Sequence, residues 1–447
     1  MPDYKAPLAD MQYLLTHVFD AETVWQSIPY FSHCNNDLAT TVLDEGAKIC
    51  EQLIAPINRP GDEEGVRLEN GEVKTAAGYK EAYSTFATNG WMSLGGNPDY
   101  DGQGMPKMLT NMFDEMVNAA SPAFCLYSSL TSGAAFCINA HASDALKSTY
   151  LSKMYSGEWA GAMALTESHA GTDLGLIRTK AVPQDDGSYL LTGQKIFITG
   201  GDHDLADNII HLVLAKLPDA PAGPKGISLF LCPKVKVNAD GSLGERNSFS
   251  CGSLEEKMGI HASSTCVMNY DGAEAFLVGE LNQGLNAMFT MMNYERVFVG
   301  VQGLSMAQLS YQGAVEYAKE RLQSRAPGSA KEGMADAIID HGDVRRMLMT
   351  QKAYIESCRA FAVYAGMQLD KSKSEDAEVA ARAEKLVALL TPIVKAFITD
   401  KGFDLAVIGQ QVYGGHGYIR EWGMEQIVRD ARINQIYEGT NGIQAMD

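Results

Sequence analysis

Hydrophobic positions recur at helical spacing over the first and last thirds of the chain and at strand spacing between them. In TTVLDEGAKICEQLIAPI, Val42, Ala47, Ile49, Leu53 and Ile54 fall near one side of a helix, which Pro56, lacking an N–H, is expected to stop. In VRRMLMTQKAYIESCRAFAVYAGMQL, Leu348, Ile355, Cys358, Ala362, Ala365 and Leu369 follow at steps of seven, three, four, three and four, the stripe of a long packed helix. The middle third differs. YLLTGQKIFITG, NIIHLVLAKL and GISLFLCPKV are short runs rich in β-branched and aromatic residues, separated by DDG, GGDHD and PDAPAGP. Asp185 to Gly187 predicts a hairpin turn.

The expected fold class is therefore α+β. It comprises an N-terminal helical domain over 1–157, a middle antiparallel β-domain over 158–282 and a C-terminal helical bundle over 283–447. Strands do not alternate with helices and no GxGxxG follows a strand, so a doubly wound nucleotide fold is excluded and a bound nucleotide needs another cradle. The loop GWMSLGGNPDYDGQGMP is long enough to bind something, and APGSAKEGMADA reads as a flexible connection between C-terminal helices.

Composition narrows the function. The 447 residues are 46% apolar and 20% charged, enough for several packed units, with no run of about 18 uncharged apolar residues to span a membrane. The start, MPDYKAPLADMQYLL, lacks a basic segment followed by an apolar one, so a soluble, cytoplasmic protein is expected. A formal charge of −19 argues against nucleic acid. The eight cysteines are scattered, and Cys34 beside His33 has no companion pair at zinc spacing, so no metal is expected.

Three segments carry candidate chemistry. In AMALTESHAGTD, small Ala170 and Gly171 open backbone N–H groups to an acceptor while Thr166 and Thr172 add hydroxyls, although such loops are also ordinary. In KIFITG, Phe197 can lie against a flat ring and Thr199 can donate to a ring nitrogen; a core strand is the plainer alternative. In QQVYGGHGYIREWGMEQIVRDARINQIYEGTNGIQ, a Gly-Gly-x-Gly turn leads to Tyr437-Glu438-Gly439-Thr440. Glu438 there is either a helix cap or a carboxylate whose pKa an aromatic neighbour helps to raise.

Taken together, in order and spacing, these segments resemble the acyl-CoA dehydrogenase family. The resemblance runs from GWMSLGG through NAHASDALKSTYLSKMYSGEW and LTESHAGTD to QIYEGT. Within the family, ERLQSR and GQQVYGGHGYIREWG are closest to the long bacterial branch that includes 3-(methylthio)propionyl-CoA and long-chain acyl-CoA dehydrogenases; the resemblance implies for that branch a C-terminal helical extension, expected here to be either missing or cut off by truncation of the bundle.

The resemblance implies FAD as cofactor. Met163, Leu165, Thr166, Gly171 and Thr172 match the segment that holds the flavin ring and pyrophosphate, and Phe197, Ile198 and Thr199 match the wall against the isoalloxazine. Arg321 and Gln323 match positions that reach the FAD of a neighbouring subunit. Gln411, Gly414 and Gly415 match a second contact across that interface, and Thr440 and Gly442 match the remaining FAD contacts, so a homodimer or dimer of dimers follows. For an acyl-CoA substrate, Thr172, Asn293, Arg296 and Gly439 match binding positions. Asn293 stands where the family usually has Asp, Gln323 where it more often has Thr, and Leu176 where a small residue is usual.

Glu438 is the implied catalytic base. It removes the α-proton while the carbonyl oxygen accepts from a flavin ribityl hydroxyl and the Glu438 N–H; the β-hydrogen leaves as hydride to flavin N5, and electrons pass on to an electron-transfer flavoprotein. An acyl-CoA oxidase using oxygen and a non-catalytic flavin- or acyl-CoA-binding scaffold are the alternatives.

Overall fold

The structure is a computed structural model that describes residues 3–329 and 334–447, so part of the connection expected at 326–337 lies outside the described residues. Helices, interrupted by one short hairpin of Arg67–Glu69 and Glu72–Lys74, run as far as Tyr155, the strands of the β-domain lie within Trp159–Val278, and helices resume at Gly284.

Two neighbouring helices, Lys107–Ala120 and Pro122–His141, form the centre of the first helical part and are buried along most of their length. Pro122–His141 is long and apolar enough to cross a membrane by length and composition, yet 78% of its most apolar window is packed inside the protein. Pro56 does not end the early helix. Asn36–Ile49 passes through a π-helical turn at Cys50–Ile54 and continues as Ala55–Glu64, with Pro56 in the first turn of that last segment. The wider turn re-registers the backbone, and a proline in a first turn costs no hydrogen bond.

The central sheet has seven strands. Phe249–Leu254, Thr265–Val278, Tyr189–Thr199, Lys180–Pro183, Asn208–Lys216 and Trp159–Ala164 lie side by side, and Ile227–Pro233 pairs with both Thr265–Val278 and Asn208–Lys216. Pairing is antiparallel, including that of Asn208–Lys216 with Ile227–Pro233, except at two other contacts of Asn208–Lys216. Trp159–Ala164 runs parallel to it, and Lys180 meets Lys216 in the same sense. A parallel pair needs a long crossover. Here that crossover contains the loop at 165–179 and the hairpin at 180–199.

In the C-terminal bundle, Gly284–Glu320, Gly342–Lys371 and Ala377–Val412 pack along one another. The first and third touch at Gly303 and Gly402, where a Cβ on Gly402 would stand 2.3 Å from the Gly303 carbonyl oxygen. The chain then turns through Met424–Arg432 and a bend at Glu438–Gly439 into Asn441–Met446.

The three parts are tied together by one cluster. Asp62 accepts both Arg429 terminal nitrogens, at 3.1 and 2.6 Å, and lies 2.9 Å from His261 Nδ1; Asp430 accepts the Ile260 N–H at 2.6 Å.

Candidate active site

Glu438 occupies the bend between two short C-terminal helices, with φ of 55°, a left-handed conformation unusual for a residue with a side chain. Gly439 continues the bend at φ 81°. The bend is held from below. Lys395, fully buried, donates to the Gly439 carbonyl and to Asn441 Oδ1, both at 2.8 Å, and Asn441 in turn donates to Asp400 at 2.7 Å. Tyr437 donates its hydroxyl to Gln302, which donates to Asn118 at 3.2 Å. Among the described residues the Glu438 N–H has no intramolecular acceptor, so it is free to donate to a ligand.

Burial pushes the Glu438 carboxyl up to about 7, against the opposing pull of Arg296 and Lys395. A carboxyl near neutrality can act as a base at physiological pH. Arg296 is 7% exposed and donates to Asp447 at 2.8 Å.

Beside Arg296 lies Glu295, which sequence reasoning missed. It is 1% exposed, its Oε1 has no hydrogen-bond partner, and burial followed by the charge of Glu438 drives its pKa well above the usual carboxylate range. Gly133 makes room for it: a Cβ there would stand 2.6 Å from Glu295 Oε1.

The second feature is an open cradle on the β-domain. Met163 lies near the end of Trp159–Ala164, and Leu165 and Thr166 follow as the chain leaves the sheet. Glu167 and Ala170 exchange two backbone hydrogen bonds of 3.0 Å, which projects Gly171 and Thr172 to the surface. Opposite them, Thr265–Val278 pairs with Tyr189–Thr199 through a bulge at Ile196 and Phe197. That bulge sets Phe197 at φ 60° and leaves it 60% exposed, with Ile198 buried behind it and Thr199 at the strand end. A bulge re-aims a side chain. An aromatic face held outward in a strained conformation, opposite hydroxyls and free main chain, suits a flat heteroaromatic ring.

A buried ion pair, also missed from sequence, locks the two arms of the cradle. Lys195, fully buried, donates to the Leu165 carbonyl at 2.8 Å and to Glu167 Oε1 at 2.9 Å. Glu167 also accepts the Arg178 and Thr179 N–H groups and the Thr179 hydroxyl, and the Ile196 N–H donates to Thr166 at 2.9 Å. A lysine alternating with strand residues gave no sign of burial. Its partner lies 28 residues earlier in the chain.

The cradle packs on the helices that carry Gly133 and Glu295. Leu165 and Ala170 belong to the same buried cluster as Met291 and Ala135. Arg321, Gln323, Gln411, Gly414 and Gly415 form a separate exposed group at one end of the bundle, brought together by Tyr317, which stacks on Tyr413 at 4.1 Å and bonds His416 at 2.9 Å. Among the described residues no hydrogen bond, ion pair or ring contact joins that group to the cradle. Asn293 is exposed and lines a cleft of about 300 Å³; Thr440 and Gly442 are exposed beside the bend. A Cβ on Gly414, Gly415 or Gly442 would meet nothing within 4 Å, so in the single chain each leaves space a ligand can fill. Among the described residues no cluster has the make-up of a metal site, and all eight cysteines are free and buried.

The chain matches the N-terminal, middle and C-terminal domains of the acyl-CoA dehydrogenases over residues 40–158, 162–273 and 282–447. It is 45% identical over 445 residues to 3-methylmercaptopropionyl-CoA dehydrogenase of Ruegeria pomeroyi, covering 99% of this chain and 75% of that protein. It is 36% identical to a butyryl-CoA dehydrogenase of Syntrophomonas wolfei, covering all of this chain and 75% of that one. The broad-specificity linear acyl-CoA dehydrogenase FadE5 of Mycobacterium tuberculosis is 34% identical over 93% of this chain and 70% of its own length. The butyryl-CoA dehydrogenase structure from Megasphaera elsdenii superposes with a TM-score of 0.76 at 26% identity, over 92% of this chain and 96% of that one. The chain belongs to the acyl-CoA dehydrogenase family, flavoprotein oxidoreductases that act on the CH–CH group of acyl-CoA substrates.

Proposed function

We propose that this protein holds FAD and uses Glu438 to take the α-proton of an acyl-CoA thioester, yielding the trans-2-enoyl-CoA. The observation that carries this reading is the Glu438 bend: a carboxyl raised to about 7 beside its own free N–H, on a scaffold of buried lysine and amide contacts.

The Glu438 N–H donates to the thioester carbonyl oxygen, which makes the α-proton acidic enough for the adjacent carboxylate to remove. Arg296 and Lys395 oppose the rise in the carboxyl pKa, so that a useful fraction is ionised near neutrality. Burial and the charge of Glu438 drive the Glu295 pKa well above the usual carboxylate range, which disfavours a second negative charge beside the base. Thr166, Thr172, Phe197 and Thr199, with main chain at Met163, Leu165 and Gly171, hold the flavin; FAD bound there supplies the acceptor for the β-hydride. Asn293, Arg296 and Gly439 bind the CoA thioester. Arg321, Gln323, Gln411, Gly414 and Gly415 reach the flavin of a second copy, which makes the working unit at least a homodimer, and an electron-transfer flavoprotein reoxidises it.

The test is anaerobic addition of acyl-CoA thioesters, among them 3-methylthiopropionyl-, butyryl- and octanoyl-CoA, to the FAD-loaded protein. Bleaching of the oxidised flavin with formation of an enoyl thioester is expected with at least one of them. A yellow protein that none of them bleaches would refute the reading.

A further inference from the structure

A small cavity of about 40 Å³ lies between the first helical part and the helix that carries Glu295 and Arg296. Tyr294 and Ser132 line it, next in sequence to Glu295 and to the Gly133 that accommodates Glu295, whose pKa the charge of Glu438 helps to raise. One wall is aromatic. Trp91 stacks on Phe113 at 4.7 Å and 18°, and Phe113 stacks on Phe86 at 5.9 Å and 23°. This wall is braced from outside, since a Cβ on Gly46 would stand 2.8 Å from the Phe113 ring. Trp91 has a second face: it also lines a surface cleft of about 620 Å³ with Leu53, Thr85 and Asn89.

The cavity is the narrow inner space of the two: Gly95, Thr110, Phe136 and Tyr294 also line the cleft of about 300 Å³ at Asn293. At about 10–15 Å³ for each water-sized group, the cavity holds about three such groups. We propose that Trp91, stacked on Phe113, is the specificity-determining floor of the acyl site and confines this protein to short acyl groups. The proposal rests on the acyl-CoA reading above and goes beyond it by naming the chain-length class and the residue that sets it. Trp91 belongs to the GWMSLGG loop, so the binding role expected of that loop takes a definite form: its aromatic side chain closes the cavity from the outside cleft. Removing the indole joins the two spaces and gives a longer chain a path outward.

The experiment compares kcat/KM for butyryl-CoA and octanoyl-CoA, read as flavin bleaching, in the FAD-loaded wild type and in Trp91→Phe, Trp91→Ala and Phe113→Ala. The wild type is expected to favour butyryl-CoA by about tenfold or more, the discrimination that a few methylenes provide in a closed pocket. Trp91→Phe keeps that preference, whereas Trp91→Ala raises the octanoyl-to-butyryl ratio by about tenfold or more, chiefly through a lower KM for octanoyl-CoA. Phe113→Ala opens the same wall from the helix side and moves the ratio in the same direction, so the proposal stays testable if one alanine variant fails to fold. A wild type that oxidises octanoyl-CoA as well as butyryl-CoA overturns the proposal. So do flavin-loaded alanine variants whose KM rises equally for both thioesters. Absence of bleaching with both thioesters in every protein overturns this proposal, and absence with 3-methylthiopropionyl-CoA as well overturns the acyl-CoA reading itself.

Discussion

Glu438 is a carboxyl whose chemistry is set by what surrounds it. Burial raises its pKa to about 7, so kcat/KM is expected to climb as pH rises through that value and to level off above it. A profile already flat from pH 5 would contradict this. The stability effect has a definite sign. The folded pKa lies above the ordinary carboxylate value, so between about pH 4.5 and 7 the native state holds a proton that the unfolded chain releases, and stability falls as pH rises across that window. Glu295 offers a sharper check. Burial disfavours its charged form, so Glu295→Gln is expected to leave the midpoint of the pH profile nearly in place, whereas loss of a neighbouring negative charge would lower it by about one unit. Glu438 could be singled out in the sequence as a candidate base because QIYEGT follows two flavin-compatible segments. Glu295 was not. A glutamate within MNYERV reads as a solvated helix charge until Pro122–His141 packs against it with glycine at 133.

At the scale of elements, the order helices, strands, helices was readable from hydrophobic period alone, but several local outcomes were not. Pro56 was expected to end a helix and instead opens a continuing one, because the π-turn before it absorbs the mismatch. The parallel placement of Trp159–Ala164 depends on which strand it meets, which periodicity does not encode. The bulge that turns Phe197 outward depends on the strand opposite it. Lys195 and Glu167 join the two arms that this bulge and the parallel strand produce. Lys195→Met leaves Glu167 buried without its cation, so the FAD dissociation constant is expected to rise by about tenfold or more, measured by flavin fluorescence. Burial lowers the Lys195 pKa to about 8, so flavin affinity in the unsubstituted protein is expected to weaken above that pH. Unchanged affinity in Lys195→Met would show that the pair does not support the cradle.

Across the whole molecule, three units meet at Asp62, His261 and Arg429, one from each. Asp62 is 5% exposed, so removing the guanidinium strands a buried carboxylate. Arg429→Met is expected to cost about 3–5 kcal/mol, seen as a lower calorimetric Tm. A Tm within about one degree of the original would mean that the cluster is not a joint between the units. None of this long-range pairing was visible in the sequence, since the partners Asp62 and Arg429 lie 367 positions apart. The claim on which the proposed function turns is that Glu438 moves the proton. The most direct measurement is anaerobic stopped-flow bleaching of flavin in Glu438→Gln, which keeps the size and bend of the side chain and removes the base. The variant is expected to bind FAD and acyl-CoA normally and to bleach at least about a hundredfold more slowly than the wild type. Bleaching at the wild-type rate would contradict the assignment of Glu438 as the base.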